Sequence, residues 1–453
     1  VQIAPNSPAR DLWRADKNNF APSIGFAYDI EGNGKSSLRA GYALRYERNF
    51  GNVTFNVIQN PPNYGVVSIT SADIGGAPIP ISRNNAGPLA GNVGSITLPR
   101  VSLRAVDPNI KTAFAHQYSA SYERRFGEIT ASAVFSGTTG KKLYSLANIN
   151  RVGSGTTYLG SSSTCPGLAP SSRLAGCYGS INYRGNGGRS AYQGITFSLE
   201  SGNLFGAGLT MASRYTYAVS RDNLSATFSE TGNQFNLGFL DPFNPGLDYG
   251  FADSDVRHRF VSNFVWELPT NRVFSDGIGK ALFGGITLSG IIIARTGTPF
   301  SVYDCTDQIH VCKYLIPNGT VATTGKLGAD TGQANEFAFL RLTGQTGVDL
   351  GGTSSQNGGP FPTNMTERNS FRGPGVWNVD LALSKKFFFT ERASLQFRVD
   401  AINVFNHANA FINGFSGGTD ISNFDPVNDP NGNLVTVSKD GRRQLQFGIR
   451  FAF

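Results

Sequence analysis

The chain has 453 residues, of which 55 are glycine, 12% are aromatic and only 15% are charged, and its formal charge is +8. Glycine serves turns, whereas phenylalanine and tyrosine favour strands, so this composition predicts an all-β protein and excludes helical arrays. The basic residues are scattered along the chain rather than clustered, which argues against nucleic acid as a partner.

Taken in order, the chain contains about eleven segments in which apolar and polar residues alternate, as they do in strands that have one apolar face. The turn between the first two contains Gly32, Asn33 and Gly34, which suit a hairpin. We predict strands at 20–29, 37–47, 113–124, 129–136, 191–201, 206–220, 257–268, 285–300, 376–388, 393–406 and 442–453.

The connections between these strands alternate between short and long. Four are short turns, at 30–36, 125–128, 202–205 and 389–392. The connection at 269–284 is of moderate length but occupies a position where the alternation calls for a short one. The long connections, rich in Asn, Pro, Gly and Ser, are predicted to be irregular and lie at 48–111, 137–190, 221–256, 301–375 and 407–441. Outer-membrane barrels have this arrangement, because their periplasmic turns are short and their extracellular loops are long.

The last strand shows the alternation most clearly. One of its faces is formed by Leu445, Phe447, Ile449, Phe451 and Phe453, and the other by Gln444, Gln446, Gly448, Arg450 and Ala452. No apolar run reaches the roughly 18 residues of a spanning helix, so we predict a transmembrane antiparallel up-and-down β-barrel in the bacterial outer membrane. A strand buried in a β-sandwich is the alternative for this stretch alone.

In such a barrel the apolar side chains contact lipid and the polar ones line the lumen. Five arginines have the inward parity and are candidates for contacts with a ligand or a plug: Arg39, Arg45, Arg295, Arg398 and Arg450. Arg257 and Arg259 belong to a charged cluster with Asp253, Asp255 and His258, for which we favour a salt-bridge network in the lumen or at the rim. Trp266 is predicted at the periplasmic interface, and Trp377 and Tyr217 at the outer one.

Four cysteines form two close pairs, Cys165 with Cys177 and Cys305 with Cys312. Their spacing does not match a CxxC metal motif, so we predict one local disulfide within each of two long loops, in an oxidising compartment. The odd strand count, and an N-terminus at Val1 without a secretory signal, predict that an N-terminal part has been removed or is missing.

Four blocks, at 18–48, 254–269, 284–302 and 371–411, together with the terminal RRQLQFGIRFAF, resemble the barrel of Oar-like TonB-dependent outer-membrane receptors. The resemblance implies a barrel of about 22 strands around an N-terminal plug, energised through a TonB-binding segment. It also implies that the barrel-assembly machinery recognises the C-terminal strand. Neither plug nor TonB-binding segment is found, nor the small carboxypeptidase-regulatory-like domain. We therefore expect 1–453 to be a single barrel domain fragment, the C-terminal half.

The sequence offers little support for catalysis, and we predict no enzyme activity, no cofactor and no metal site. His116, His258, His310 and His407 are dispersed and match no catalytic motif. The stretch 319–327 departs from a phosphate-binding loop in both spacing and its last residue. Asp425, Asp429, Asn431 and Asn433 do not have the EF-hand spacing, although we leave calcium in the loops open.

Two functions of different class remain. The chain is either part of an active importer that captures an unknown extracellular ligand on its loops, or a surface-exposed adhesive or structural barrel that transports nothing. A plug and a TonB-binding segment upstream would favour the importer. A third possibility, a secreted all-β binding protein, requires outward faces that are polar rather than apolar.

Overall fold

A computed structural model of the chain describes residues 13–47, 102–150, 178–225, 238–270, 273–274, 277–304, 313–348, 361–390, 393–413, 421–424 and 433–453. Within these residues the structure has twenty strands, numbered β1 to β20 along the chain, and one short α-helix, α1 at Gly277–Phe283. A single 3-10 turn occupies Pro245–Asp248. The predicted all-β fold is confirmed.

The main sheet has thirteen strands, and eleven of them form its continuous path, in agreement with the roughly eleven predicted from the sequence. Each strand of this path pairs antiparallel with the next in chain order, so the topology is the predicted up-and-down meander. The strands of the path are β1 (Ser23–Asp29), β2 (Ser36–Tyr46), β4 (Phe114–Phe126), β5 (Ile129–Asn148), β6 (Ile181–Leu204), β7 (Leu209–Asp222), β9 (His258–Glu267), β10 (Ile286–Arg295), β15 (Val376–Phe388), β16 (Ser394–Ile402) and β20 (Gln444–Ala452). The short β3 (Leu103–Val106) and β8 (Gly250–Phe251) pair with β6 and β7 beside this path.

All short connections lie at one end of this sheet and all long ones at the other, as predicted. The turn after β1 shows how the short ones form: Gly32 and Gly34 have positive φ, and Asp29 Oδ2 accepts a hydrogen bond of 2.7 Å from the Gly34 amide. The sheet ends at β1 on one side and at β20 on the other, and among the described strands neither has a second neighbour.

The predictions for the long connections were wrong in part, because several contain strands. β5 and β6 continue well beyond the predicted 129–136 and 191–201, since this hairpin remains paired outside the membrane although its residues are rich in Gly and Ser. The other strands at this end are β3 (Leu103–Val106), β8 (Gly250–Phe251), β11 (Pro299–Asp304), β12 (Lys313–Tyr314), β13 (Glu336–Arg341), β14 (Phe371–Arg372), β17 (Asn409–Ile412), β18 (Ile421–Phe424) and β19 (Leu434–Asp440).

The predicted strand 285–300 is also divided, into β10 and β11. The break lies near Gly297, where a side chain would collide with the backbone of Gly373 and Pro374. The chain leaves the main sheet here and enters a separate four-stranded sheet, so β11 does not continue the pairing of β10.

The pairing register places the apolar positions of all eleven strands on one face. One row of laterally adjacent residues runs through nine strands: Tyr28, Leu38, Tyr122, Ala133, Phe197, Tyr215, Phe260, Ala294 and Trp377. The last three strands continue this face with Leu383, Val399 and Phe447. Large members are exposed, Phe447 by 74% and Ile449 by 72%. This continuous apolar surface contradicts the possibility of a secreted soluble protein.

The neighbouring row, on the opposite face, consists of Ala27, Arg39, Ser121, Val134, Thr196, Thr216, Arg259, Arg295 and Val376. This polar surface is called the inward face below. Trp266 lies at the end with short connections and Trp377 and Tyr217 at the other end, as predicted. Among the described helices, none is long and apolar enough to span a membrane.

Candidate functional site

Six of the arginines singled out in the sequence lie on the inward face: Arg39, Arg45, Arg259, Arg295, Arg398 and Arg450. Arg398 is paired with Asp400 two residues later on the same strand, with Nη2 at 2.7 Å from Oδ1. Arg259 lies directly opposite Arg295, so two positive charges adjoin at the end of these strands that is next to the long connections. A role for these arginines toward a ligand or a plug stays a prediction.

The long connections at the other end fold together into a structure that we call the loop layer. It comprises residues 223–225, 238–257, 296–304, 313–348, 361–375, 403–413, 421–424 and 433–443. Its largest apolar core contains Phe300, Leu315, Phe371, Val435 and Val437, all at most 1% exposed. These residues come from two different connections, the one between β10 and β15 and the one between β16 and β20, which are therefore packed together.

A buried ionic network joins the loop layer to the main sheet. The Arg368 guanidinium contacts Asp222 Oδ1 from Nη1 and Asp253 Oδ1 from Nη2, each at 2.5 Å. Asn369 Nδ2 also donates to Asp253 Oδ1 at 2.7 Å. Burial opposes the charge of Arg368, but Asp253 and Asp222 outweigh it and hold the pKa of Arg368 above its usual value. The connection before β14 is thereby fixed to the end of β7.

A second part of the network surrounds the aromatic ring of Phe251. Arg221, Arg257 and Arg372 have their guanidinium carbons 4.6, 5.0 and 4.8 Å from the ring centre. Arg372 and Arg257 both pair with the buried Asp255, the latter at 3.7 Å. The predicted salt-bridge network at 253–259 is thus present, and Arg257 belongs to it rather than to the inward face of a strand.

The network also holds a pair of buried tyrosines. Tyr314 Oη donates to Asp248 Oδ1 at 2.6 Å, and the other oxygen of Asp248 accepts from the Leu240 amide at 3.0 Å. Tyr303 stacks on Tyr314 with ring centres 5.2 Å apart, and burial raises the pKa of Tyr303 to about 12. Both hydroxyls therefore stay protonated and uncharged at neutral pH, and Tyr314 acts as a neutral hydrogen-bond donor to Asp248.

Sequence reasoning did not find Arg368 and Arg372. They lie in a stretch without strand periodicity, and their acidic partners are more than a hundred residues away along the chain. The available signal was weak: Asp222, Asp248, Asp253 and Asp255 are concentrated in one long connection and need cations from elsewhere.

All four cysteines lie outside the described residues. The backbone next to one pair is described: Asp304 lies opposite Lys313 in the β11–β12 hairpin, and the segment 305–312 between them begins and ends with cysteine. We expect mass spectrometry of the unreduced protein to show Cys165–Cys177 and Cys305–Cys312, each contributing about 3 kcal/mol at most because the loops are short. Free thiols, or cross-pairing between the two loops, would contradict this assignment.

Among the described residues, no group of three or more His, Cys, Asp or Glu side chains is arranged to hold a metal ion. His310, Asp425, Asp429 and Asn431 lie outside the described residues. His116 and His258 are on the apolar face, where their Nδ1 atoms bond to Tyr42 and Tyr215 at 2.8 and 2.7 Å. His407 stacks on Trp377, with ring centres 4.1 Å apart.

The family model of the outer membrane beta barrel domain matches residues 1–446 of the chain. The chain belongs to this family. Its location is therefore the bacterial outer membrane, as predicted, and the exposed apolar face is the surface that contacts lipid. No curated protein matches the barrel chain in sequence.

Solved structures similar to this barrel chain include the outer membrane transporter YddB from Escherichia coli, with 12% identity and a TM-score of 0.49 over 96% of the chain and 41% of YddB. The siderophore receptor PirA from Acinetobacter baumannii has 13% identity and a TM-score of 0.41, over 96% of the chain and 41% of PirA. FpvA from P. aeruginosa, bound to pyoverdines, has 11% identity and a TM-score of 0.42, over 97% of the chain and 33% of FpvA. The chain thus spans less than half the length of each of these proteins.

Proposed function

We propose that this chain is part of the barrel of a TonB-dependent importer, in which the loop layer captures an extracellular ligand and a plug controls its passage. The inward face carries this proposal, because its side chains are mostly polar or small and because Arg259 and Arg295 adjoin there without an ion pair to any described carboxylate. A plug and a TonB-binding segment would be supplied by further chain. The resemblance of 371–411 and the other blocks to Oar-like receptors supports the same function.

A labelling experiment tests import without knowledge of the ligand. Ser121 lies on the inward face, and Ser121→Cys in the full-length protein would place a thiol in the lumen. We expect a membrane-impermeant maleimide to label this cysteine faster in energised cells than in cells lacking TonB. The reason is that energy transferred through TonB moves the plug and opens the lumen to the reagent. Ala133→Cys, on the lipid-facing side, is the matched control and should stay unlabelled in both.

The alternative, an adhesive or structural barrel, predicts a different result. Its folded loop layer would bind partners at the cell surface, and the lumen would not respond to energy. Equal labelling of Ser121→Cys with and without TonB would therefore favour this second function and contradict import.

A further inference from the structure

The hairpin of β5 and β6 projects far beyond the membrane. These strands have 20 and 24 residues, whereas a transmembrane strand needs only about 9 to 11. The remaining part extends outward by roughly 30 Å at the usual rise of a strand. It lies at the end with the long connections, beside the loop layer.

This projecting region has an unusual charge. Between 137 and 190 the sequence contains no Asp or Glu, but six basic residues: Lys141, Lys142, Arg151, Arg173, Arg184 and Arg189. The region therefore has no acidic group of its own to neutralise a buried cation. Any compensating negative charge has to come from another part of the molecule or from a ligand.

One of these cations is buried. Arg184 is only 3% exposed, and its Nη1 donates to the Asn182 carbonyl oxygen at 3.0 Å. Its Nε is buried without a hydrogen-bond partner, and no carboxylate among the described residues forms an ion pair with it. Burial, and next the charge of Arg104, lower the pKa of Arg184 to about 10. The guanidinium thus has one buried donor, Nε, without an acceptor among the described residues.

A second arginine is brought to the same place by β3. This short strand pairs parallel to β6, with Arg104 opposite Asn182 and Val106 opposite Arg184, so Arg104 and Arg184 share one face. The pairing of β5 with β6 shifts register twice between Ser190 and Gly185, so the alternation that places Thr196 on the inward face does not continue unchanged to Arg184. The two arginines therefore lie together on the projecting part of the hairpin, beyond the strand length that crosses the membrane.

We propose that Arg184 and Arg104 form an oxyanion-binding site that takes a carboxylate or phosphate group of the ligand. Two guanidinium groups offer the forked donors that such groups prefer, and partial burial strengthens the bonds. Lipid phosphates are excluded as the source, because the site lies near the outer end of the projecting hairpin, away from the membrane surface. Only one part of this proposal rests on the proposed importing function: that the bound anion is a group of the transported ligand. The binding of an oxyanion by the two arginines does not depend on import.

The test is the thermal unfolding of the detergent-purified, full-length protein in sodium phosphate and in sodium chloride of equal ionic strength. We expect phosphate to raise the melting temperature of the wild type, because an anion that binds only the folded state stabilises it. Arg184→Met should melt higher than the wild type in chloride, since an uncompensated buried charge is gone, and should bind phosphate about tenfold or more weakly.

Two further variants make the outcome decisive. Arg104→Gln, at a half-buried position, should weaken phosphate binding even if Arg184→Met does not fold. Arg214→Met, which removes an exposed arginine paired with Glu200 at 2.7 Å, should retain the full phosphate effect. A lower melting temperature for Arg184→Met with an undiminished phosphate effect would show a merely structural arginine. An absent phosphate effect in the wild type would overturn the site, without bearing on import measured by labelling at Ser121.

Discussion

Replacing Arg368 by alanine is expected to lower the free energy of unfolding of the loop layer by about 3 to 5 kcal/mol, because Asp222 and Asp253 would lose the cation between them. Arg368 is 8% exposed and Asp222 is 6% exposed, so water replaces the lost partner poorly. Hydrogen exchange of peptides covering 245–257 and 361–375 measures this effect. Faster exchange in both segments, with the main sheet unchanged, is the expected pattern.

Two controls separate geometry from charge. Arg368→Lys keeps a cation but cannot reach both carboxylates in the forked geometry, so it should give an intermediate effect. Arg214→Ala removes an exposed ion pair with Glu200 and should change protection little. If Arg368→Ala exchanged as slowly as the wild type in these peptides, the network would not hold the loop layer to the sheet.

The second large effect concerns the lipid-facing surface of β20. Phe447→Arg should destabilise the inserted barrel by about 2 to 4 kcal/mol, the cost of arginine on the lipid side at mid-bilayer. Gln446→Arg places the same charge on the inward face, one residue away, and should be tolerated. The amount of folded protein in outer membranes, judged by heat-modifiable mobility in gels, reports the difference. Similar yields for these two variants would contradict the assignment of faces.

The main sheet could be predicted from the sequence because its signal is local. In the strand at Val376–Phe388, successive residues alternate between lipid and lumen, and the structure gives the predicted bounds without change. The tight turns add a second local signal, as at Gly32 and Gly34. Strand number, parity and the order of short and long connections all follow from such patterns.

The loop layer could not be predicted, since its pairings are between distant segments with no period of their own. Phe300 and Val435 share one core although 134 intervening residues separate them in the sequence. The same reason hid Arg368 and Arg372. Arg184 has a signal of a different kind: residues 137–190 contain no Asp or Glu, so an arginine buried there has no carboxylate nearby in the sequence.

One pairing in the loop layer has a consequence for how the protein is made. β11 lies parallel to β18, with Ser301 beside Ile421, and β13 pairs with β19. β11 and β13 belong to the connection between β10 and β15, whereas β18 and β19 belong to the connection between β16 and β20. These contacts close large loops in the chain, which is the slow kind of folding event. The strand pairs of the loop layer form only when the connection between β10 and β15 and the one between β16 and β20 are on the same side of the sheet. An antibody against the assembled surface of the loop layer would therefore report completed folding rather than insertion of single strands.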